Sequence, residues 1–304
     1  MLCASAPPFD SAEHLFEVKW DGIRMLTFAR HDRVRLQNRK LVNETARYPE
    51  IVAALAALPG QHVFDGEVVV LEDGRPSFQR VLERELVSSP LLIERRSRTL
   101  PATYVAFDLL YADGTWLLER PLVERRERLK ALFEGRSSEA LVDSPFILEK
   151  GRTFFEQAVA EGLEGVVGKA LQSPYLAGKR NRYWIKSKAE RLIHCVVLGT
   201  LVEPGTGRVR SLVLGAYRDD AMVWMGNVGS GLDEKTLRTL ATDLHALEGP
   251  APDGLEVEGS GNVKWLQPVL VARVKYLETT HAGRLRAPVF VGFVDRRPES
   301  CTLS

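Results

Sequence analysis

The chain has 304 residues, of which 45% are hydrophobic and 27% charged, with a formal net charge of +1. That is the length of two ordinary domains and the composition of a soluble globular protein, and near-neutrality excludes nucleic-acid binding through bulk positive charge, so a binder needs local basic surfaces. Three scattered cysteines, Cys3, Cys195 and Cys301, form neither a disulfide framework nor a zinc-ligand grouping, and no apolar run reaches membrane-spanning length, so a cytoplasmic protein with reduced thiols is expected.

In chain order, strand-like alternation covers Leu15–Lys19 and places Glu17, Lys19 and Asp21 on one face. Asp21-Gly22 breaks this strand with a turn, since glycine supplies backbone angles that other residues resist. On this octet alone, Glu17 to Arg24, a surface hairpin with an ion pair remains open beside a reactive lysine. Arg33–Leu36 is a second strand. Ile51, Leu55 and Leu58 share a face of a helix over Tyr48–Leu58, which Pro59-Gly60 ends. A strand over Val63–Leu71, interrupted at Asp65-Gly66, precedes a helix over Phe78–Leu86. Tyr104–Tyr111 is an apolar strand, Pro121–Phe133 an amphipathic helix, and Phe154–Ala160 a short helix before the strand Gly165–Lys169.

Beyond Lys188 the texture changes to short β segments at Cys195–Leu201, Ser211–Tyr217, Met222–Val228, Val269–Tyr276 and Val289–Val294, with a helix over Asp233–Leu247. Several short strands and one inserted helix suit a Greek-key barrel of the OB type. The domain boundary falls near residues 188–193, dividing the chain into 1–190 and 191–304. Two basic clusters stand out, Arg95-Arg96-x-Arg98 and the run Lys179, Arg180, Arg182, Lys186, Lys188, Arg191; the first reads as a solvated face.

Five strands carry charge where burial is expected: Glu17 and Lys19, Glu67, Asp108, Glu164 with Lys169, and Lys186 with Lys188. A single buried, unpaired charge is costly, so five such strands imply convergence on one another, a metal or a ligand. In this order the segments resemble the motifs of the covalent nucleotidyltransferases, namely ATP-dependent DNA ligases, RNA ligases and capping enzymes. Phe16-Glu-Val-Lys-Trp-Asp-Gly22, Arg47-Tyr-Pro-Glu50, Ala106-Phe-Asp-Leu-Leu-Tyr111, Gly162-Leu-Glu-Gly-Val-Val167 and Ser173-Pro-Tyr175 are similar to bacterial ATP-dependent DNA ligases of the ligase C and ligase D types, associated with end joining and break repair. Val228-Gly-Ser-Gly-Leu-Asp233 and Leu285-Arg-Ala-Pro-Val-Phe290 resemble stretches of their second domain.

The resemblance implies an α+β fold: an ATP-grasp-like nucleotidyltransferase domain of mixed antiparallel sheets, followed by an OB-fold barrel. It implies a minimal two-domain core, monomeric, in the bacterial nucleoid, acting on nicked or broken duplex DNA, with a Ku-type end-binding protein as a further partner. Lys19 would attack the α-phosphate of ATP. Arg24 and Arg39 would hold ribose or phosphate oxygens, Glu67 the ribose hydroxyl, and Phe107 would stack on adenine, with Glu17 helping to recognise the base. Glu164, with Glu67, would bind Mg²⁺ or Mn²⁺, and Lys186 and Lys188 would neutralise phosphate charge. Lys169 ranks lower, because a regular strand turns it away from Glu164. Asn38-Arg39-Lys40 departs from the usual Ser-Arg-Asn. The C-terminal motif keeps Asp295 and Arg296, but Val294 or Phe293 stands where an arginine is usual, so a slow first step is expected unless Arg286 or Arg297 substitutes. An RNA ligase or other lysine-dependent nucleotidyltransferase, and a nick-binding protein with impaired catalysis, are the alternatives.

Overall fold

The structure, a computed structural model, describes all residues except 31–32, 220, 234–243, 256, 259–261, 281 and 304. The described chain divides into two compact units, Met1–Ala189 and Glu190–Ser304.

The first unit opens with β1 (Leu2–Ser5), β2 (Ser11–Val18), β3 (Ile23–Arg30), β4 (Arg33–Asn38), α1 (Pro49–Ala56) and β5 (Gln61–Val69). A small hairpin, β6 (Leu71–Glu72) with β7 (Arg75–Pro76), leads into α2 (Phe78–Glu85) and α3 (Pro90–Thr99). There follow β8 (Thr103–Ala112), β9 (Thr115–Trp116), α4 (Leu122–Phe133), β10 (Leu141–Asp143) and β11 (Phe146–Glu149). The unit closes with α5 (Gly151–Ala160), β12 (Gly165–Ala170) and β13 (Arg180–Lys188).

These strands form two main sheets, ordered β1-β13-β12-β2-β11 and β10-β8-β5-β3-β4, mostly antiparallel; β1 pairs with β13 and β10 with β8 in parallel. The second sheet is two-faced. Met25, Ala29, Leu36, Phe64 and Val68 turn to a large core with Ile51 and Leu55 of α1 and Leu129 and Phe133 of α4. Leu26, Phe28, Val63 and Phe107 turn the other way and pack with Trp184 and Tyr175. Period-two alternation thus assigns each strand residue to the core or to the cleft that holds the site.

Several local expectations need correction. β2 and β3 belong to different sheets, so Asp21-Gly22 is a crossover and no hairpin forms. Gly22 is required by proximity: a Cβ there would lie 2.1 Å from the Val68 carbonyl oxygen. β5 runs unbroken through Asp65-Gly66, where only its register against β8 slips. Helix α3 and strand β1 had no periodic signal, one being arginine-rich and the other only four residues long. On α3, Arg98 pairs with Glu94 at 2.5 Å and Arg96 lies 3.6 Å from Glu83, a solvated charged face as read.

The second unit contains β14 (Arg191–Val202), β15 (Val209–Arg218), β16 (Ala221–Val228), β17 (Val263–Trp265), β18 (Val271–Tyr276) and β19 (Val289–Val294). Its sheet order is β16-β15-β14-β18-β19, with β17 added to β14. Alternation along β14 sends Cys195 and Val197 to one apolar cluster, Val196 and Leu198 to another. Residues 234–243 of the helix expected over Asp233–Leu247 lie outside the described residues; Leu244–Leu247 is a single 3-10 turn.

Candidate active site

A cleft of about 260 Å³ in the first unit is lined by Glu17, Lys19, Trp20, Arg24, Arg39, Glu67, Phe107, Val167, Lys169, Trp184 and Lys186, together with Cys3. Its back wall is strand register. Val167 lies opposite Glu17 on one side and Lys186 on the other, and Lys169 lies opposite Trp184, so these side chains share a face.

Lys19 sits one residue beyond the end of β2. Its amide donates to the Gly165 carbonyl at 2.9 Å, which sets it beside Glu164, and the Ala189 amide donates to the Glu164 carbonyl at 2.9 Å, which holds the end of β13 there. The Glu164 carboxylate consequently contacts Lys19 through one oxygen and Lys188 through the other. Burial opposes ionisation of Glu164, but the two lysines outweigh it and hold its carboxyl below the ordinary range. Lys186 completes a triad of ammonium groups. Partial burial, then the charges of Lys188 and Lys19, push its pKa down. Two lysines on one carboxylate with a third ammonium group beside them leave surplus positive charge, which is a receptor for phosphate oxygens.

Glu67 stands on the opposing sheet. Desolvation raises its carboxyl to about 8 against the pull of Lys19 and Arg24. Among the described residues no group of three or more His, Cys, Asp or Glu side chains makes a metal cage. A carboxylate on each side of Lys19 fits instead a cation that takes one or two protein carboxylates and shares phosphate oxygens with a substrate.

The deeper part of the cleft is aromatic. Phe107 meets Trp184 edge-to-face at 5.8 Å, and the Lys169 ammonium lies 4.2 Å from the centre of the Phe107 ring and 4.3 Å from that of Trp184. Lys169 donates to Glu17 Oε2 at 2.6 Å. The other oxygen, Glu17 Oε1, is buried without a hydrogen bond, since Arg126 Nε stops 3.7 Å away. The placement of Lys169 is a correction. Gly165, with φ +139°, is the first residue of β12, and Glu164 lies before the strand, so strand parity does not tie Glu164 to Lys169: Lys169 lines the cleft and Glu164 meets Lys19 at its mouth. A Cβ at Gly165 would lie 2.1 Å from the Ser187 carbonyl oxygen, so only glycine fits.

Arg24 lines the cleft, but its guanidinium is committed. Nε and Nη2 donate to Asp65 at 2.9 and 2.5 Å, and Nη1 donates to the Met1 carbonyl at 2.6 Å. Asp65, fully buried, also accepts from the Tyr175 hydroxyl at 2.7 Å. These contacts hold Arg24 in the cleft wall, joined to Asp65 and to the first residue of the chain. Arg39 lines the cleft and is exposed. Asp108 is not a cleft residue: both oxygens accept from Arg125 of α4, at 2.7 and 2.9 Å, with neither side chain exposed. Arg296 lies in the second unit, donating to Ser300 Oγ at 2.9 Å and 2.8 Å from His194 Nδ1.

A lysine at the mouth of an aromatic and cationic cleft, on two apposed mixed sheets, defines the class as a nucleotidyltransferase domain, here followed by an OB-like sheet. Family models agree in detail: "ATP dependent DNA ligase domain" matches residues 2–188 and "ATP dependent DNA ligase C terminal region" residues 205–296. The chain belongs to the ATP-dependent DNA ligase family. It is 35% identical over 295 residues to the multifunctional non-homologous end joining protein LigD of Pseudomonas aeruginosa, covering 94% of this chain and 34% of that protein. It is 35% identical over 285 residues to a probable DNA ligase of Streptomyces avermitilis, covering 91% of this chain and 54% of the other. The chain therefore spans about a third to a half of these relatives. A mycobacterial DNA ligase D solved with ATP and MES is similar across 100% of this chain and 97% of that one, with TM-score 0.57 and 31% identity. The ligase domain of Mycobacterium tuberculosis LigD is similar over the same shares, with TM-score 0.56 and 31% identity.

Proposed function

We propose that the chain seals breaks between a 5′-phosphate and a 3′-hydroxyl in duplex DNA, using ATP to form a lysyl-adenylate on Lys19. The observation that carries this reading is the contact of Lys19 with Glu164 at the mouth of a cleft whose far wall is aromatic, with Lys186 in its near wall and Lys188 on the other Glu164 oxygen. Adenine enters beside Phe107, and the unpartnered Glu17 Oε1 accepts from its exocyclic amine. Deprotonated Lys19 attacks the α-phosphorus. The Nζ–P bond forms as the bond to the bridging oxygen breaks, and pyrophosphate leaves with the electron pair. A terminal 5′-phosphate then displaces Lys19 from the adenylyl phosphorus, and the 3′-hydroxyl attacks that 5′-phosphorus and expels AMP. Each displacement needs in-line placement and charge neutralisation more than covalent help, which Lys186 and Lys188 supply. Glu164 and Glu67 would hold Mg²⁺ or Mn²⁺, which supplies charge neutralisation on the phosphates.

The relatives named for end joining favour broken ends as substrate and recruitment by a Ku-type protein, and the altered arginine before Asp295-Arg296 favours a slow first step. Incubation with radiolabelled ATP and Mg²⁺ tests the reading: wild type takes up covalent AMP, Lys19→Ala takes up none, and pre-adenylated nicked DNA is sealed faster than enzyme is charged. No label even with Mn²⁺ would leave a nick-binding protein. Preference for nicked RNA over nicked DNA would turn the reading to an RNA ligase.

A further inference from the structure

Strand β4 is the free edge of its sheet, and its two faces differ sharply. Val34 packs on the core and Leu36 is fully buried within it, so Arg33 and Arg35 project to the opposite face, where both are exposed. That is the cleft face, because Arg35 lies opposite Phe28, and Arg33 opposite Arg30, on the neighbouring strand β3. At one end the chain runs on to Arg39, which lines the cleft. At the other, Arg30 and Arg33 line a second depression of about 350 Å³, floored by Phe28, Val63, Tyr111 and Trp116. Trp116 is 59% exposed and meets Tyr111 edge-to-face at 5.2 Å.

None of Arg30, Arg33, Arg35 and Arg39 has a carboxylate partner among the described residues, whereas Arg24, Arg47, Arg80, Arg84 and Arg125 are all paired. In a chain of net charge +1, an unpaired row of guanidinium groups leading out of the cleft is a concentrated anion track. Arg33 and Arg35, two residues apart on β4, are spaced by about 6.6 Å, close to the step between neighbouring phosphates on one nucleic-acid strand, and Arg30 lies directly across from Arg33.

We propose that Arg35 and Arg33 bind successive backbone phosphates of the DNA strand that enters the cleft at Arg39, with Arg30 beside Arg33 adding a second guanidinium there and Trp116 offering a flat apolar platform at the far end. This deepens the ligase reading and rests on it. Guanidinium groups that merely shield an edge strand from pairing would bind no phosphate, and the two roles separate experimentally.

Binding of a nicked duplex is followed across a salt titration, alongside covalent charging by ATP. Arg33→Ala/Arg35→Ala flattens the slope of log K against log[salt] by about 2 and raises the KM for nicked DNA roughly tenfold, while charging by ATP is unchanged. Arg33→Lys/Arg35→Lys, which keeps both charges, retains the wild-type slope. Trp116→Ala weakens binding without altering the slope, since stacking releases no counterion. An unchanged slope and KM in the alanine pair, with charging intact, overturns the track. A wild type that never charges, yet whose alanine pair loses slope, overturns the ligase reading and leaves the track standing.

Discussion

Glu17 and Lys169 form an ion pair at 2.6 Å, their side chains 2% and 3% exposed, with the lysine against the Phe107 ring. Burial pulls the Lys169 pKa down and Glu17 resists it. Removing one member of such a pair strands the other: Lys169→Met should cost about 3–5 kcal/mol of stability, whereas Glu17→Gln/Lys169→Met should recover much of that loss. Urea unfolding of both single variants and the pair measures the coupling. Additive losses would show that the two side chains act separately.

Glu164 has a different task, since it holds two lysines at the mouth of the cleft. Replacing it by Gln leaves Lys19, Lys186 and Lys188 in mutual repulsion and removes a candidate metal carboxylate. Single-turnover charging by ATP should fall on the order of 100-fold, with nicked-DNA binding retained. Charging at the wild-type rate would mean that Glu164 only anchors the strands.

These two predictions mark what sequence reading reaches. Charges placed in apolar strands mark Glu17, Lys19, Glu67, Asp108, Glu164, Lys169, Lys186 and Lys188; Glu17, Lys19, Glu67, Lys169 and Lys186 line the cleft, Glu164 and Lys188 meet at its mouth, and Asp108 lies outside it. A regular strand would turn Lys169 away from Glu164, but that parity does not extend through Gly165, whose positive φ cannot be read from a Gly-Val-Val pattern. The pairing of Arg24 with Asp65 is not legible in sequence, because the two are 41 residues apart. The same ambiguity hid Asp108, whose partner Arg125 occupies what reads as an ordinary position on the apolar stripe of α4. The arginines of β4 carry no such signal: spaced by two along a short strand, they never form a dense run.

Glu67 offers a pH signature. Its folded carboxyl sits at about 8, above the ordinary 4.5, so the fold favours the protonated acid. Its share of the stability of the ligand-free protein is fully present below pH 4.5 and is lost as pH rises through about 8. Glu67→Gln removes that titration. The Tm difference, variant minus wild type, should therefore grow between pH 5 and about 8 and level off beyond. A difference independent of pH would place Glu67 in a solvated, ordinary environment.

Cysteine chemistry gives a separate probe of cleft occupancy. Cys195 is fully buried and its thiol is pushed up to about 12 by desolvation; Cys301 is 2% exposed and also raised by burial. Cys3 is partly exposed and forms part of the cleft wall. The thiolate is the reactive form, so alkylation near pH 8 should modify Cys3 first and leave the other two until the protein unfolds. Nucleotide bound beside Lys186 and Trp184 covers that wall, so ATP should slow the modification while Cys3→Ser still charges. Peptide mapping by mass spectrometry distinguishes the thiols, and equal labelling of Cys3 with and without saturating ATP would place the nucleotide elsewhere.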